Sequence, residues 1–234
     1  MGDKVLEKVK KLVYEILSAD DSGHGYDHSE RVCKLALKFA IKEKADEEIV
    51  SLIALLHDVD DYKLFGKQQA QDLTNAKKIM NCVKINEEKQ EKVLSSLRRI
   101  GYRKSLAGIR PITLEGKIVS DADMCEAIGA NGILRTHEYG LKYGKPFFYK
   151  KADPNLVIKL NEYRENIGAC SLIHLFEKSL KLKDLMLTDS GKREATIRHK
   201  TMVYFLYRLF EEEDAIEWEA YLDNYLEDNS KELD

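Results

Sequence analysis

Ile53-Ala54-Leu55-Leu56-His57-Asp58-Val59-Asp60-Asp61-Tyr62-Lys63 is an apolar run that ends abruptly in a histidine followed by charged and polar groups. An apolar run with no polar face reads as a buried helix, so this helix presents its polar groups from its end. Asp61 follows His57 by four residues, which puts the two on one helical face if the turn continues. A lone His-Asp pair is more often a surface or capping pair, and what changes the reading here is its company. Upstream lies His28, and downstream Asp123 in the run Val119-Ser120-Asp121-Ala122-Asp123. Two neutral imidazoles and two carboxylates suffice to hold one divalent ion, and a mixed nitrogen and oxygen set suits Mn, Mg, Fe, Co or Zn better than a thiolate site. A carboxylate beside a metal-bound water, without being a ligand, is where a general acid or base is needed. Asp61 fits that role, and the Lys63 ammonium fits neutralisation of phosphate oxygens as charge builds.

The surrounding sequence is helical. Val5, Val9, Leu12, Val13 and Leu17 follow the spacing of one buried helix face, as do Val32, Leu35, Ala36 and Phe39. Asp27 with Glu30 three residues later predicts a capping box that places His28 in the first turn of the second helix. Further helices are expected near 47–58, 68–81, 87–99, 114–128, 131–142, 156–167, 171–186, 189–211 and 215–227, and no run alternates with period two. Prolines occur only at positions 111, 146 and 154, leaving these runs uninterrupted. Tyr143 to Pro154 reads as a loop longer than most connections and is a candidate lid. The tail 227–234 is acidic and reads as frayed.

Composition narrows the function classes. A net charge of −3 argues against a protein that coats a nucleic acid polymer or a membrane through global positive charge, while leaving room for a local basic pocket. The four cysteines, Cys33, Cys82, Cys125 and Cys170, form no Cys-x-x-Cys pair, which speaks against a zinc ribbon or disulfide framework and for reduced, mostly buried thiols. The start lacks a signal-peptide apolar stretch, and no segment approaches the ~18 apolar residues of a membrane span. A cytoplasmic location is the expectation.

These motifs resemble the HD-domain superfamily of metal-dependent phosphohydrolases, defined by a histidine, a His-Asp doublet and a distal aspartate. Ser22-Gly23-His24-Gly25-Tyr26-Asp27-His28-Ser29-Glu30-Arg31-Val32 is similar to the opening motif, where the histidine before x-x-Arg-Val is the ligand, selecting His28 over His24. Asp121-Ala122-Asp123-Met124-Cys125-Glu126-Ala127 resembles the distal motif and favours Asp123 over Asp121 as ligand. Asp121 then orients a ligand. The resemblance implies an all-α, single HD-domain bundle of roughly ten helices over residues 1–226, followed by the tail 227–234. The run from Asp121 through Arg135, then His174 to Lys178 and Thr188 to Arg198, is similar to a bacterial-type subgroup that hydrolyses nucleoside triphosphates between the α and β phosphates. That subgroup favours Mn²⁺. Two departures stand out: Met124 occupies a position where family members often carry Arg or Lys, and Gly25 replaces an aspartate.

The histidine census bears on metal number. Dinuclear branches of the superfamily add histidines between the doublet and the distal aspartate, and none lies between Asp58 and Asp123 here. One divalent ion held by His28, His57, Asp58 and Asp123 is the resulting expectation. Candidate contacts to a small phosphorylated substrate are His24, Arg31, Arg135, His174 and Lys178, each weighed against a turn-closing, core or surface ion-pair role. The segment from Arg98 to Arg110 carries five basic residues and no acidic one, and reads as a solvated loop or as a surface near an anionic ligand. Trp218 and the aromatics from Tyr204 to Phe210 suit a core or a subunit contact, which leaves a homo-oligomer open. Two rival readings remain: a nucleotide-binding sensor that keeps the site with little turnover, and a helical scaffold whose cluster is accidental.

Overall fold

The computed structural model describes residues 3–18, 25–152, 154 and 170–231. The helix expected at 156–167 lies outside them, as does His24. Among the described residues all regular structure is helical and no strand occurs. None of these helices is long and apolar enough to cross a membrane. In chain order they are α1 (Asp3–Leu17), α2 (Tyr26–Glu43), α3 (Glu47–Leu56), α4 (Tyr62–Phe65), α5 (Lys67–Asp72), α6 (Thr74–Cys82) and α7 (Glu87–Leu97). There follow α8 (Tyr102–Leu106), α9 (Leu114–Glu126), α10 (Gly129–Lys142), α11 (Ile173–Glu177), a 3-10 helix (Ser179–Leu185), α12 (Asp189–Glu212) and α13 (Ile216–Lys231). Residues 1–126 with 186–193 form one compact unit, and 127–185 with 194–234 form a second.

The first unit is organised around α3. The Asp46 side chain caps its start, accepting the Glu48 and Ile49 amides at 2.9 and 3.1 Å. Every residue from Ile49 to Leu56 is buried, as a sequence with no polar face requires. Helices α2 and α9 pack on α3 and on each other, with α1 and α7 also against α3. Val9, Val13 and Leu17 of α1 and Val32, Leu35, Ala36 and Phe39 of α2 are buried, on the faces their spacing predicts. A fully buried aliphatic side chain contributes about 1.5–3 kcal/mol relative to exposure, so packing, more than intrinsic propensity, holds these helices.

Three elements depart from the sequence expectation. Helix α2 is capped by Gly25 without a side-chain bond, and Asp27 lies inside its first turn. Glu30 pairs with Lys34 at 3.3 Å instead of closing a capping box. The expected helix at 68–81 is broken at Leu73, whose φ of 52° is left-handed. The cause lies outside the local sequence: buried Asp60 accepts the Asn75 and Ala76 amides at 2.8 and 2.9 Å, and Asn75 Nδ2 donates to the Val59 carbonyl at 2.7 Å. Asp60 thus starts α6 anew. The third, the expected helix at 171–186, is divided into α11 and the 3-10 helix.

In the second unit, Phe210 and Trp218 are buried and Phe148 packs on both, at centroid distances of 5.6 Å. The Trp218 indole donates to the Lys150 carbonyl at 3.3 Å. Ser171 and Leu172 donate to the Pro146 and Phe147 carbonyls at 3.0 and 2.8 Å. The loop expected as a lid is therefore fastened at 146–150. Helix α13 continues through Glu227 to Lys231, beyond the point where fraying was expected. Cys33, Cys125 and Cys170 are buried and Cys82 is exposed, and none of the four is in a disulfide.

Asp121 joins α9 to the start of α12. Its buried carboxylate accepts the Leu187 amide at 2.9 and 3.1 Å, and the Thr188 amide and hydroxyl at 2.8 and 2.7 Å. The Thr188 oxygen in turn accepts the Gly191 amide at 3.0 Å. A Cβ on Gly191 would lie 2.2 Å from Asp121 Oδ2, so only glycine fits beside the carboxylate. We expect Gly191→Ala to cost about 1–3 kcal/mol through overpacking, lowering the Tm by about 2–4 °C per kcal/mol. An unchanged melting curve by circular dichroism would contradict this packing.

Candidate metal centre

Four side chains from three mutually packed helices and one turn converge in the first unit. His28 is buried in the first turn of α2, and His57 follows directly on α3 with its backbone still helical, at φ −65° and ψ −30°. Asp58 opens the turn that follows, and Asp123 lies on α9. His28 Nε2 is 3.3 Å from His57 Nε2, 3.3 Å from Asp123 Oδ1 and 3.7 Å from Asp58 Oδ2. His57 Nε2 is 3.3 Å from Asp58 Oδ2 and 3.8 Å from Asp123 Oδ1. Ligand atoms about 2.0–2.2 Å from a shared ion are separated at adjacent positions by about 3.0–3.6 Å. The spacing of the cluster is close to that, and His28, His57 and Asp58 form a candidate site for a divalent ion.

The surroundings prepare His57 for this. Its Nδ1 donates to the Ala54 carbonyl at 2.7 Å, which leaves Nε2 directed at the cluster with a lone pair in the neutral ring. Burial works against charging this imidazole. The neighbouring Asp58 and Asp123 carboxylates outweigh that effect and push its pKa up to about 9. Burial raises the Asp123 pKa in turn, but the facing histidines prevail and hold it below the ordinary carboxylate range. Without a cation, the two acids keep a proton on the imidazole. The donor set therefore fits a divalent ion, which would replace that proton.

Asp121, the other candidate for the distal position, is directed at Leu187 and Thr188 and does not reach the histidines. Burial raises its pKa, with the bonds from Leu187 and Thr188 partly offsetting. Asp61 stands at the end of the 57–61 turn, its amide donating to the Asp58 carbonyl at 3.1 Å and its carbonyl accepting from Leu64 and Phe65. Lys63 belongs to α4, and its side chain lies outside the description. Arg31 donates through Nε to Glu126 at 2.7 Å. Arg135, His174 and Lys178 belong to the second unit. His137 and His199, also there, each bury one ring nitrogen without a partner among the described residues. Burial and nearby Lys183 push the His199 pKa down to about 4, so its ring is neutral.

The basic segment comes closer to this turn than a solvated loop would. Lys104 on α8 is half-buried, its Nζ bonded to the Leu97 carbonyl at 3.0 Å. Burial lowers its pKa while the Asp61 charge opposes that shift. The Arg103 guanidinium lies 5.5 Å from the centroid of the Tyr62 ring. The sequence signal was the lack of any acidic residue from 98 to 110.

A family model described as the HD domain matches residues 25–128, a stretch that contains all four converging side chains. YpgQ of Bacillus subtilis is 30% identical over 207 residues, which span 88% of this chain and 92% of YpgQ. The structure of YpgQ in complex with ADP matches with a TM-score of 0.68 at 27% identity, covering 89% of this chain and 95% of that one. A structure from Lactobacillus plantarum matches with a TM-score of 0.74 at 29% identity, over 92% and 99% of the two chains. For an HD-superfamily hydrolase from Bacillus thuringiensis the TM-score is 0.69 at 31% identity, over 92% and 100%.

Metal uptake and proton release are linked at this cluster. With its pKa at about 9, His57 in the metal-free protein is protonated at neutral pH and must lose that proton when a cation binds. Calorimetric titration with Mn²⁺ near pH 7.5 should release about one proton, so the observed enthalpy should vary with the ionisation enthalpy of the buffer. Apparent affinity should weaken as pH falls below about 9. The same raised pKa favours folding of the metal-free protein below its unfolded value of about 6.5, and that contribution is lost as pH rises through about 9. Identical enthalpies in PIPES and HEPES, whose ionisation enthalpies differ, would contradict the protonated state.

Proposed function

The chain belongs to the HD superfamily of hydrolases, and we propose that it is a metal-dependent phosphohydrolase that cleaves a nucleoside triphosphate to monophosphate and pyrophosphate. The observation that carries this reading is the convergence of His28, His57, Asp58 and Asp123 within 3.8 Å contacts. We assign all four as ligands of one divalent ion, Mn²⁺ being favoured. Held there, such an ion would supply Lewis-acid polarisation of the phosphoryl group and activation of water.

The chain's own residues supply the rest. Asp61, in the turn that begins at Asp58, is assigned to take the proton from the attacking water and give it up to solvent as pyrophosphate leaves. Lys63, two residues further, offsets negative charge on the phosphoryl oxygens, and Arg31 offers a guanidinium one helical turn from His28. His24, four residues before His28, is assigned to a contact with the remainder of the substrate. The ADP bound by YpgQ supports a nucleotide as ligand, and Lys104 and Arg103 near Asp61 and Tyr62 support an anionic one.

The test is product analysis by ion-exchange chromatography after incubation with Mn²⁺ and a pool of ribo- and deoxyribonucleoside triphosphates. Monophosphate and pyrophosphate are the expected products. Asp123→Ala should reduce turnover by more than about a hundredfold, beyond the usual loss from removing a group that merely supports a ligand. Orthophosphate would make the protein a phosphatase. Nucleotide binding without turnover would sink the hydrolase reading in favour of a sensor.

A further inference from the structure

Helices α2 and α9 are joined by two polar rungs. His28 meets Asp123 at 3.3 Å, and one turn further along both helices Arg31 Nε meets Glu126 Oε2 at 2.7 Å. The step is three residues in the same direction on each helix, so the two run side by side in the same sense here. The two partners of the second rung differ sharply in exposure: the Glu126 side chain is 3% exposed and that of Arg31 39%. Burying a carboxylate carries a desolvation cost that ion pairing often fails to repay in stability. The bond uses Arg31 Nε, and among the described residues the terminal nitrogens Nη1 and Nη2 meet no acceptor. A guanidinium is planar, permanently charged and able to grip two oxygens of a phosphoryl group at once.

We propose that Glu126 is a positioning residue, whose buried carboxylate fixes the Arg31 guanidinium by Nε and keeps its two terminal nitrogens available to a phosphoryl group held at the His28, His57, Asp58 and Asp123 cluster. The proposal rests on the phosphohydrolase reading for the nature of that ligand. Arg31 contacts the anion, and Glu126 acts only through Arg31. An arginine anchored in this way loses little further freedom on gripping a ligand, so the gain appears in anion affinity. The metal ligands are set by the other rung, and metal affinity does not depend on the Glu126 charge. Glu126→Gln keeps the shape and a neutral acceptor but gives up the charge-assisted bond, leaving the guanidinium free to turn.

Inorganic phosphate, titrated into Mg²⁺-loaded protein while the arginine Nε–Hε signals are followed by NMR, tests this without requiring turnover. Arg31→Lys identifies the signal and, lacking the fork, should bind phosphate more weakly despite its charge. In the wild type the Arg31 signal should be sharp and should move on saturation. In Glu126→Gln the phosphate dissociation constant should rise about tenfold, with Mg²⁺ affinity within about twofold of the wild type. The proposal is overturned if phosphate leaves the wild-type Arg31 signal unmoved, if Glu126→Gln binds phosphate like the wild type, or if it loses Mg²⁺ in proportion. Phosphate engagement at Arg31 together with no nucleotide turnover would strike the hydrolase reading alone.

Discussion

Two imidazole nitrogens held 3.3 Å apart in the protein interior, each within 3.8 Å of the same two carboxylates, are the constraint on which the rest depends. Such an arrangement is stable only if positive charge is present at its centre. In the metal-free protein that charge is a proton on His57, kept there against burial by Asp58 and Asp123. A divalent ion supplies it more fully, and also satisfies the lone pairs that a single proton leaves facing each other. The cluster is thus a place where the fold concentrates unfavourable electrostatics that a cation relieves.

The packing around it follows from the need to deliver four donors from three helices. From Ile49 onward α3 has no polar face and is buried, and so its end carries His57 and Asp58 into the interior. Helices α2 and α9 lie against it, and each contributes one donor from a polar position on an otherwise packed face. The neighbouring carboxylates hold the frame: Asp60 captures the start of α6 and stabilises the 57–61 turn, and Asp121 captures the start of α12. Of the acidic residues clustered in the two motifs, these two face the backbone while Asp58 and Asp123 face the histidines. The stability of the scaffold and the chemistry of the site therefore draw on alternate carboxylates of the same short runs.

That division shows what could be read before the fold was known. The apolar spacing of α1 and α2 and the unbroken apolar run of α3 identified an all-helical protein, because burial in helices imposes a period that the sequence displays. The resemblance to the HD motifs pointed to His28, His57, Asp58 and Asp123 together. What escaped was contact between residues distant in sequence. The break at Leu73 is set by Asp60, thirteen residues earlier, and nothing in 68–81 announces it. Glu126 read as one more residue of the distal motif, and its pairing with Arg31, ninety-five residues away, needed the packing of α2 on α9. The capping box at Asp27 failed for a simpler reason: the helix begins two residues earlier than that cap requires, at Tyr26, capped by Gly25.

The central claim is that one divalent ion is held by both imidazoles together. Pulsed EPR on the protein loaded with one equivalent of Mn²⁺ reads this directly, because each coordinated imidazole nitrogen modulates the electron spin echo. We predict the modulation of two nitrogens in the wild type and of one in His57→Ala or His28→Ala. Bound Mn²⁺ with no nitrogen modulation, or a pattern untouched by either substitution, would contradict the account.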